Sequence, residues 1–208
     1  MKIKAAVFSK KRESNNTEVL NKYYYLCFLV IFSGLICGVL LYAFNKNQIS
    51  GNLFSLFTSF FTDFSNKSSL EIISGLLLSA IFYWSIMFAS GCCLVGMPGT
   101  YFFTFVKSMA MSLLLSFIYN EYSLSGIEYT FLVLAPGKIT SIFGMLIMCY
   151  SCLKMNMALK EAVYNKAGEC KSEFRKYIIR SAVSLLIFII AEFINFITIR
   201  SFSSLFSF

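Results

Sequence analysis

The sequence predicts an all-α integral membrane protein, a bundle of five transmembrane helices with an amphipathic interfacial helix on its outer side. Three observations carry this prediction: 58% of the 208 residues are hydrophobic, only 13% are charged, and the mean hydropathy is +0.72. Soluble domains carry about 25% charged residues, and a much smaller share of charged residues cannot cover a water-facing surface. The composition therefore argues against a soluble domain, a disordered chain and a nucleic-acid-binding protein, despite the net charge of +8.

Five apolar runs are long enough to cross a hydrocarbon core of about 30 Å, which takes about 20 helical residues. Each run must be helical, because in lipid only a helix or a closed barrel satisfies every backbone hydrogen bond. The chain then divides into a basic cytoplasmic N-terminus, 1–22, and a single membrane domain, 23–208. The predicted spans are 23–44, 70–95, 97–118, 127–153 and 177–199.

The basic residues predict the orientation, because Lys and Arg accumulate in cytoplasmic loops. Segments 1–22 and 154–176 contain six basic side chains each, whereas 45–69 contains two and 119–126 contains none. With an odd number of spans, the two basic segments lie on the same side of the membrane. We therefore predict a multi-pass protein of the cell membrane with a cytoplasmic N-terminus and an external C-terminus.

The segment between the first two spans has hydrophobic residues at helical spacing among Ser, Thr, Asn and Asp. This pattern predicts a helix that lies flat on the outer leaflet, and a re-entrant or pore-covering segment is the alternative. Its apolar face offers a candidate surface for a partner protein. The residues of this face are Leu53, Phe57, Phe60, Phe61 and Phe64.

Three ionisable side chains lie inside the predicted spans: Lys107, Lys138 and Glu192. Each costs at least about 2.5 to 3.5 kcal/mol to insert, so such residues are functional candidates by default. Their similar depth allows either lysine to pair with the glutamate. A proton or substrate relay is one interpretation. A buried pair that fixes helix register is the other, and the lack of His, Asp or a second carboxylate at this depth favours it.

Glycine and proline mark two further features of the helices. Gly96 and Pro98 predict a tight hairpin between the second and third spans, since Pro in the first turn of a helix costs no hydrogen bond. Pro136, followed by Gly137, predicts a kink or a break in the fourth span. Such breaks mark substrate sites in transporters, but no other span repeats this one.

Small residues in the first span predict close helix packing. Gly34 and Gly38 are four residues apart, which places both on one face and allows a neighbouring helix to approach closely.

The side chains available for chemistry are few. The sequence contains no His, which removes Ser-His and Cys-His catalysis and every His-containing metal site. Seven cysteines, an odd number, do not suggest a disulfide framework. Four of them at helix ends, Cys92, Cys93, Cys149 and Cys152, could in principle bind zinc, but packing is the favoured interpretation. We predict no enzyme activity, no catalytic residue, no cofactor and no metal site.

In the order and spacing of these features the chain resembles the stage II sporulation protein M family over most of its length. The shared features are Gly34 to Gly38, the Leu53 to Phe61 stretch, the Gly96 to Pro98 turn followed by Phe105 and Lys107, Gly126, and Pro136. Where relatives often have Gly after the intramembrane Lys, this chain has Ser108.

The resemblance implies a non-catalytic membrane scaffold that acts in engulfment, when the mother-cell membrane migrates around the forespore. It also implies two peptidoglycan-degrading partners, the stage II sporulation proteins D and P, which the scaffold holds at the septum. Membrane lipids are expected partners, nucleic acids are not, and association between copies of the chain stays open. The alternative is a small permease or a membrane subunit of a transporter, with Lys107, Pro136 and Glu192 lining a path.

Overall fold

The computed structural model describes residues 2–45, 69–165 and 170–202, and the side-chain surroundings within 22–45, 70–163 and 171–201. All regular structure in these ranges is helical, so the all-α prediction is confirmed. The elements are α1 (Lys2–Phe44), α2 (Ser69–Cys92), α3 (Gly96–Tyr129), a π-helical turn (Thr130–Leu134), α4 (Ala135–Asn165) and α5 (Cys170–Phe202).

Four helical stretches in the described ranges are long and apolar enough to cross a membrane, which supports a membrane protein: Lys22–Phe44, Leu70–Cys92, Gly96–Val163 and Lys171–Ser201. The sequence predicted five, and the difference lies in the third stretch, which covers 68 residues and takes in both the third and the fourth predicted spans. The predicted amphipathic helix and its candidate partner surface, Leu53 to Phe64, lie outside the described residues.

Within α3 the chain reverses its direction at Ser123. This residue has φ 49° and ψ −120°, the one positive φ of a non-glycine residue in the described ranges. A Cβ at Gly126 would lie 2.5 Å from the carbonyl oxygen of Ile118, although eight residues of straight helix rise about 12 Å. Beyond the reversal the chain returns along α3, so that Thr104 and Cys149 are neighbours.

The connection between α2 and α3 occupies Cys93–Val95, just before the Gly96 to Pro98 segment in which the sequence placed the turn. The Gly96 N–H donates to the Cys93 carbonyl at 3.1 Å. A Cβ at Gly96 would overlap the carbonyl oxygen of Ser90, so this glycine permits a close approach to α2 rather than forming the turn. Pro98 lies in the first turn of α3, where the N–H groups have no partner within the helix.

The chain accommodates Pro136 without breaking the helix. Proline lacks an N–H and its ring displaces the carbonyl of the preceding turn, and here that turn is widened. The Ala135 N–H donates to Thr130, five residues earlier, which defines the π-helical turn. From α5, the Thr198 hydroxyl lies 2.8 Å from the Val133 carbonyl oxygen and shares its one hydrogen between that oxygen and the Ile194 and Asn195 carbonyls of its own helix. The disturbed turn is therefore tied to a neighbouring helix.

Helix pairs build the bundle: α1 lies along α3, α4 lies along α5, and α2 contacts α3, α4 and α5. One apolar cluster surrounds Met87, Met145 and Cys149, and a second surrounds Phe117 and Val133 near the reversal. The opposite faces of the helices expose large apolar side chains, as in a lipid-facing surface.

Candidate functional site

The three intramembrane charges come from three different helices and lie within electrostatic range of one another. Lys107 of α3 interacts electrostatically with Lys138 of α4 and with Glu192 of α5. Among the described residues, ion pairs within 4.0 Å join Glu173 to Lys154 and to Lys176, and none joins Glu192 to Lys107 or Lys138. The structure therefore brings these charges together within electrostatic range but leaves both lysines outside ion-pair distance of Glu192.

Aromatic contact holds the Lys107 side chain in place. Its Nζ lies 4.5 Å from the centroid of the Tyr83 ring on α2, a cation–π geometry. Tyr83 in turn makes an edge contact with Phe188 of α5, with the ring centroids 5.7 Å apart. Tyr83 could not be predicted from the sequence, because nothing in a single apolar helix shows which aromatic ring will face a lysine.

Glu192 is paired within its own helix. It is 9% exposed, and its Oε2 accepts a hydrogen bond from the Asn195 Nδ2 at 3.1 Å. Asn195 is buried, and a Cβ at Gly137 would overlap its Oδ1, so the glycine after Pro136 makes room for this amide. Glu192 and Asn195 are three residues apart in an apolar helix, and this spacing is the signal in the sequence that could have predicted their hydrogen bond.

The arrangement carries two positive charges against one negative charge in a low-dielectric interior. Its members are Lys107, Lys138, Glu192, Asn195 and Tyr83, and we refer to them as the intramembrane cluster. It can fix the relative positions of four helices, and it can attract an anion. Lys107 and Lys138 are both half-buried, so neither is fully sealed within the protein.

The small residues of α1 pack against α3 within the same chain. A Cβ at Gly34 would overlap the Ser108 Oγ and lie 2.7 Å from the Phe105 carbonyl oxygen. A Cβ at Gly38 would overlap the Ser112 Oγ and the carbonyl oxygen of Met109. The close approach that the glycine pair predicted is thus made to α3, and this face of α1 is occupied.

Hydroxyl residues occupy every fourth position of α3, and two of them, Ser108 and Ser112, face the glycines of α1. The row consists of Thr100, Thr104, Ser108, Ser112 and Ser116. Each hydroxyl donates to a carbonyl of its own helix, three or four residues earlier. Because these hydrogen bonds are made within α3, the side chains present a small, nearly apolar surface. This four-residue repeat is visible in the sequence, but it was not used in the prediction.

The cysteines serve different roles according to position. Cys27 and Cys149 are buried with their sulfur atoms 2.9 Å apart, joining α1 to α4. Cys152 is also buried and donates to the Met87 carbonyl at 3.2 Å. Cys92 and Cys93 are exposed at the end of α2. The four cysteines considered for zinc therefore differ in burial, and no group of metal-ligating side chains was found among the described residues.

Comparison with protein families gives one match, to Stage II sporulation protein M, over residues 27–198. No curated protein and no solved structure was found to match. The matched range takes in the apolar part of α1 and most of α5, with all the helices between them. It includes each intramembrane charge and both glycines of α1. The chain therefore belongs to the stage II sporulation protein M family and is a sporulation-related membrane protein.

Proposed function

We propose that this protein is a non-catalytic membrane scaffold that anchors and localises peptidoglycan-remodelling proteins during forespore engulfment. The observation that carries the proposal is the family match over residues 27–198, which is more than four fifths of the chain. The proposed partners are the peptidoglycan-degrading stage II sporulation proteins D and P, the partners that the family resemblance implies.

Hydrogen bonds between helices support a fixed platform. The Trp84 indole donates to the Ser181 carbonyl, and the Tyr177 hydroxyl donates to the Phe88 carbonyl, both at 2.9 Å. A third bond of 2.9 Å joins Ser184 of α5 to the Gly144 carbonyl of α4. Transporters move one part of the bundle against another. Hydrogen bonds that join α2, α4 and α5 oppose such a movement, which favours a scaffold.

We propose five spans for this scaffold. The Gly96–Val163 stretch would be about 100 Å long as a straight helix, against about 30 Å of hydrocarbon. The reversal at Ser123 divides it into two lengths that each suffice to cross. The excess of basic residues in 1–22 and 154–176 then supports a cytoplasmic N-terminus and an external C-terminus.

The proposed partner surface is on the outside, where wall hydrolases act. Its candidate residues are predicted from the sequence pattern and lie outside the described residues. They are Leu53, Phe57, Phe60, Phe61 and Phe64. Phe57→Asp together with Phe61→Asp should abolish recruitment of the hydrolases at normal protein level. Unchanged recruitment would refute this surface.

Co-purification tests the scaffold. A tagged chain is extracted in detergent from sporulating cells, and mass spectrometry identifies what accompanies it. We expect wall hydrolases to be recovered in amounts comparable to the chain. Their absence, with an ATPase or a soluble binding protein recovered instead, would refute the proposal.

The second candidate is a small permease or a membrane subunit of a transporter, and the meeting of Lys107, Lys138 and Glu192 favours it. Purified protein in liposomes distinguishes the two functions. A permease would dissipate an imposed proton or solute gradient, and Glu192→Gln would abolish the flux. A scaffold should leave the gradient as stable as in protein-free liposomes.

A further inference from the structure

Two lysines and an arginine lie near one carboxylate at the end of the bundle where α4 and α5 leave the apolar region. The Lys176 Nζ lies 2.7 Å from the Glu173 Oε1, and the Lys154 Nζ lies 3.9 Å from the Glu173 Oε2. Arg180, one helical turn beyond Lys176, interacts electrostatically with Lys154 and with Glu173. We call these four residues the Glu173 cluster.

The Arg180 guanidinium has a defined position. Its Cζ lies 5.8 Å from the centroid of the Tyr150 ring on α4. The Tyr150 ring also makes an edge contact with Tyr24 of α1, with the centroids 6.2 Å apart. Tyrosines concentrate where the hydrocarbon of a membrane meets its headgroups. We therefore expect the Glu173 cluster to lie at the depth of the lipid phosphates.

The charges of the cluster do not balance. Three cations face one carboxylate, which leaves a surplus of two positive charges. Lys154 is repelled by Arg180 and Lys176, and Glu173 is the carboxylate that attracts it. The side chains of Lys154 and Glu173 are 27% and 21% exposed, so water only partly screens the repulsion. A further anion at this position would relieve it.

We propose that the Glu173 cluster binds the phosphodiester headgroup of an anionic phospholipid. The ligand chemistry is a phosphate oxygen pair, which suits the fork of an arginine and the point charge of a lysine. Basic pockets between helices at the membrane surface bind such headgroups. The depth of the cluster between aromatic residues favours a lipid as the source of the phosphate over a soluble anion.

Native mass spectrometry of the full chain in detergent tests the proposal. Delipidated protein is titrated with phosphatidylglycerol, with phosphatidylcholine, and with inorganic phosphate as a soluble competitor. We expect selective retention of phosphatidylglycerol that an equal concentration of inorganic phosphate does not displace. Displacement by inorganic phosphate would show a soluble-anion site, and equal retention of the two lipids would show no anion site. Either result overturns the proposal.

Charge-removing variants locate the site. Arg180→Gln and Lys176→Gln should each lower the affinity for phosphatidylglycerol about fivefold, which corresponds to about 1 kcal/mol for each basic residue. Lys176 has an exposed side chain, 54% accessible, so its variant should fold even if Arg180→Gln does not. Lys171→Gln removes the same charge from an exposed position of α5 and should retain the affinity. An equal loss in Lys171→Gln would overturn the site.

Discussion

Gly34 of α1 lies so close to Ser108 of α3 that a Cβ at position 34 would overlap the serine Oγ. The Phe105 carbonyl oxygen, 2.7 Å from the same point, is backbone and cannot rotate away. Helix association in lipid depends on van der Waals packing and close backbone approach. This contact therefore sets the distance between α1 and α3.

Gly34→Ala should destabilise the protein, because α1 must move away from α3 to admit one methyl group. We expect a loss of about 1 to 3 kcal/mol, the usual cost of overpacking. Gly75→Ala is the matched control, since nothing lies within 4 Å of its Cβ position and Ala is the better helix former. Thermal unfolding in detergent measures both. Equal midpoints for the two variants would refute the role of this contact.

The intramembrane cluster predicts unequal effects for its charges. Glu192→Gln would leave Lys107 and Lys138 without a negative counterpart in a low-dielectric interior, so we expect a loss of stability. The loss should be smaller than the roughly 3 to 5 kcal/mol of a broken buried ion pair, because neither lysine lies within 4.0 Å of the carboxylate. Lys107→Met removes one of two cations and keeps an apolar side chain against Tyr83. The stability loss of this variant should therefore be smaller. Protein level and thermal midpoint measure the difference. A glutamine variant as stable as the wild type would contradict this account.

The reversal in α3 predicts a stabilising substitution. Ser123 has φ 49° and ψ −120°, a conformation that glycine adopts without steric cost. Ser123→Gly should therefore stabilise the protein by about 1 kcal/mol. Ser125→Gly is the control, since the Ser125 hydroxyl donates to the Tyr122 carbonyl and its φ is not positive. If both variants lower the thermal midpoint, the backbone of Ser123 is not strained.

Reporter fusions test the five-span topology. Alkaline phosphatase fused after Gly126 and after Phe208 should be active, because both positions are expected outside the cell. A fusion after Gly168 should be inactive, and a fluorescent protein there should be bright. An internal C-terminus would contradict the odd number of spans.

The sequence was enough to predict helices, because apolar length and low charge leave no other structure that satisfies the backbone in lipid. It also identified Lys107, Lys138 and Glu192 as notable by charge and depth alone. The contacts of these side chains could not be predicted from the sequence, since they depend on how each helix is oriented about its own axis. Glu192 accepts from Asn195 instead of meeting a lysine within 4.0 Å, and Lys107 lies over Tyr83.

Helix bounds and turns were harder to predict from the sequence. Gly96 looked like a turn residue, but its role is to admit the Ser90 carbonyl, a contact that no local pattern reveals. Pro136 suggested a kink or break, and the structure widens the preceding turn while Thr198 satisfies Val133 from another helix. In each case a tertiary contact decides the outcome, and a single sequence does not contain it.

The central claim is that this membrane protein localises peptidoglycan-degrading partners. Its most direct test follows fluorescently tagged partners, the stage II sporulation proteins D and P, in sporulating cells with and without this chain. We predict that the partners collect at the engulfing membrane when the chain is present, disperse when it is deleted, and return when it is re-expressed. Partners that stay at the engulfing membrane in its absence would contradict the scaffold.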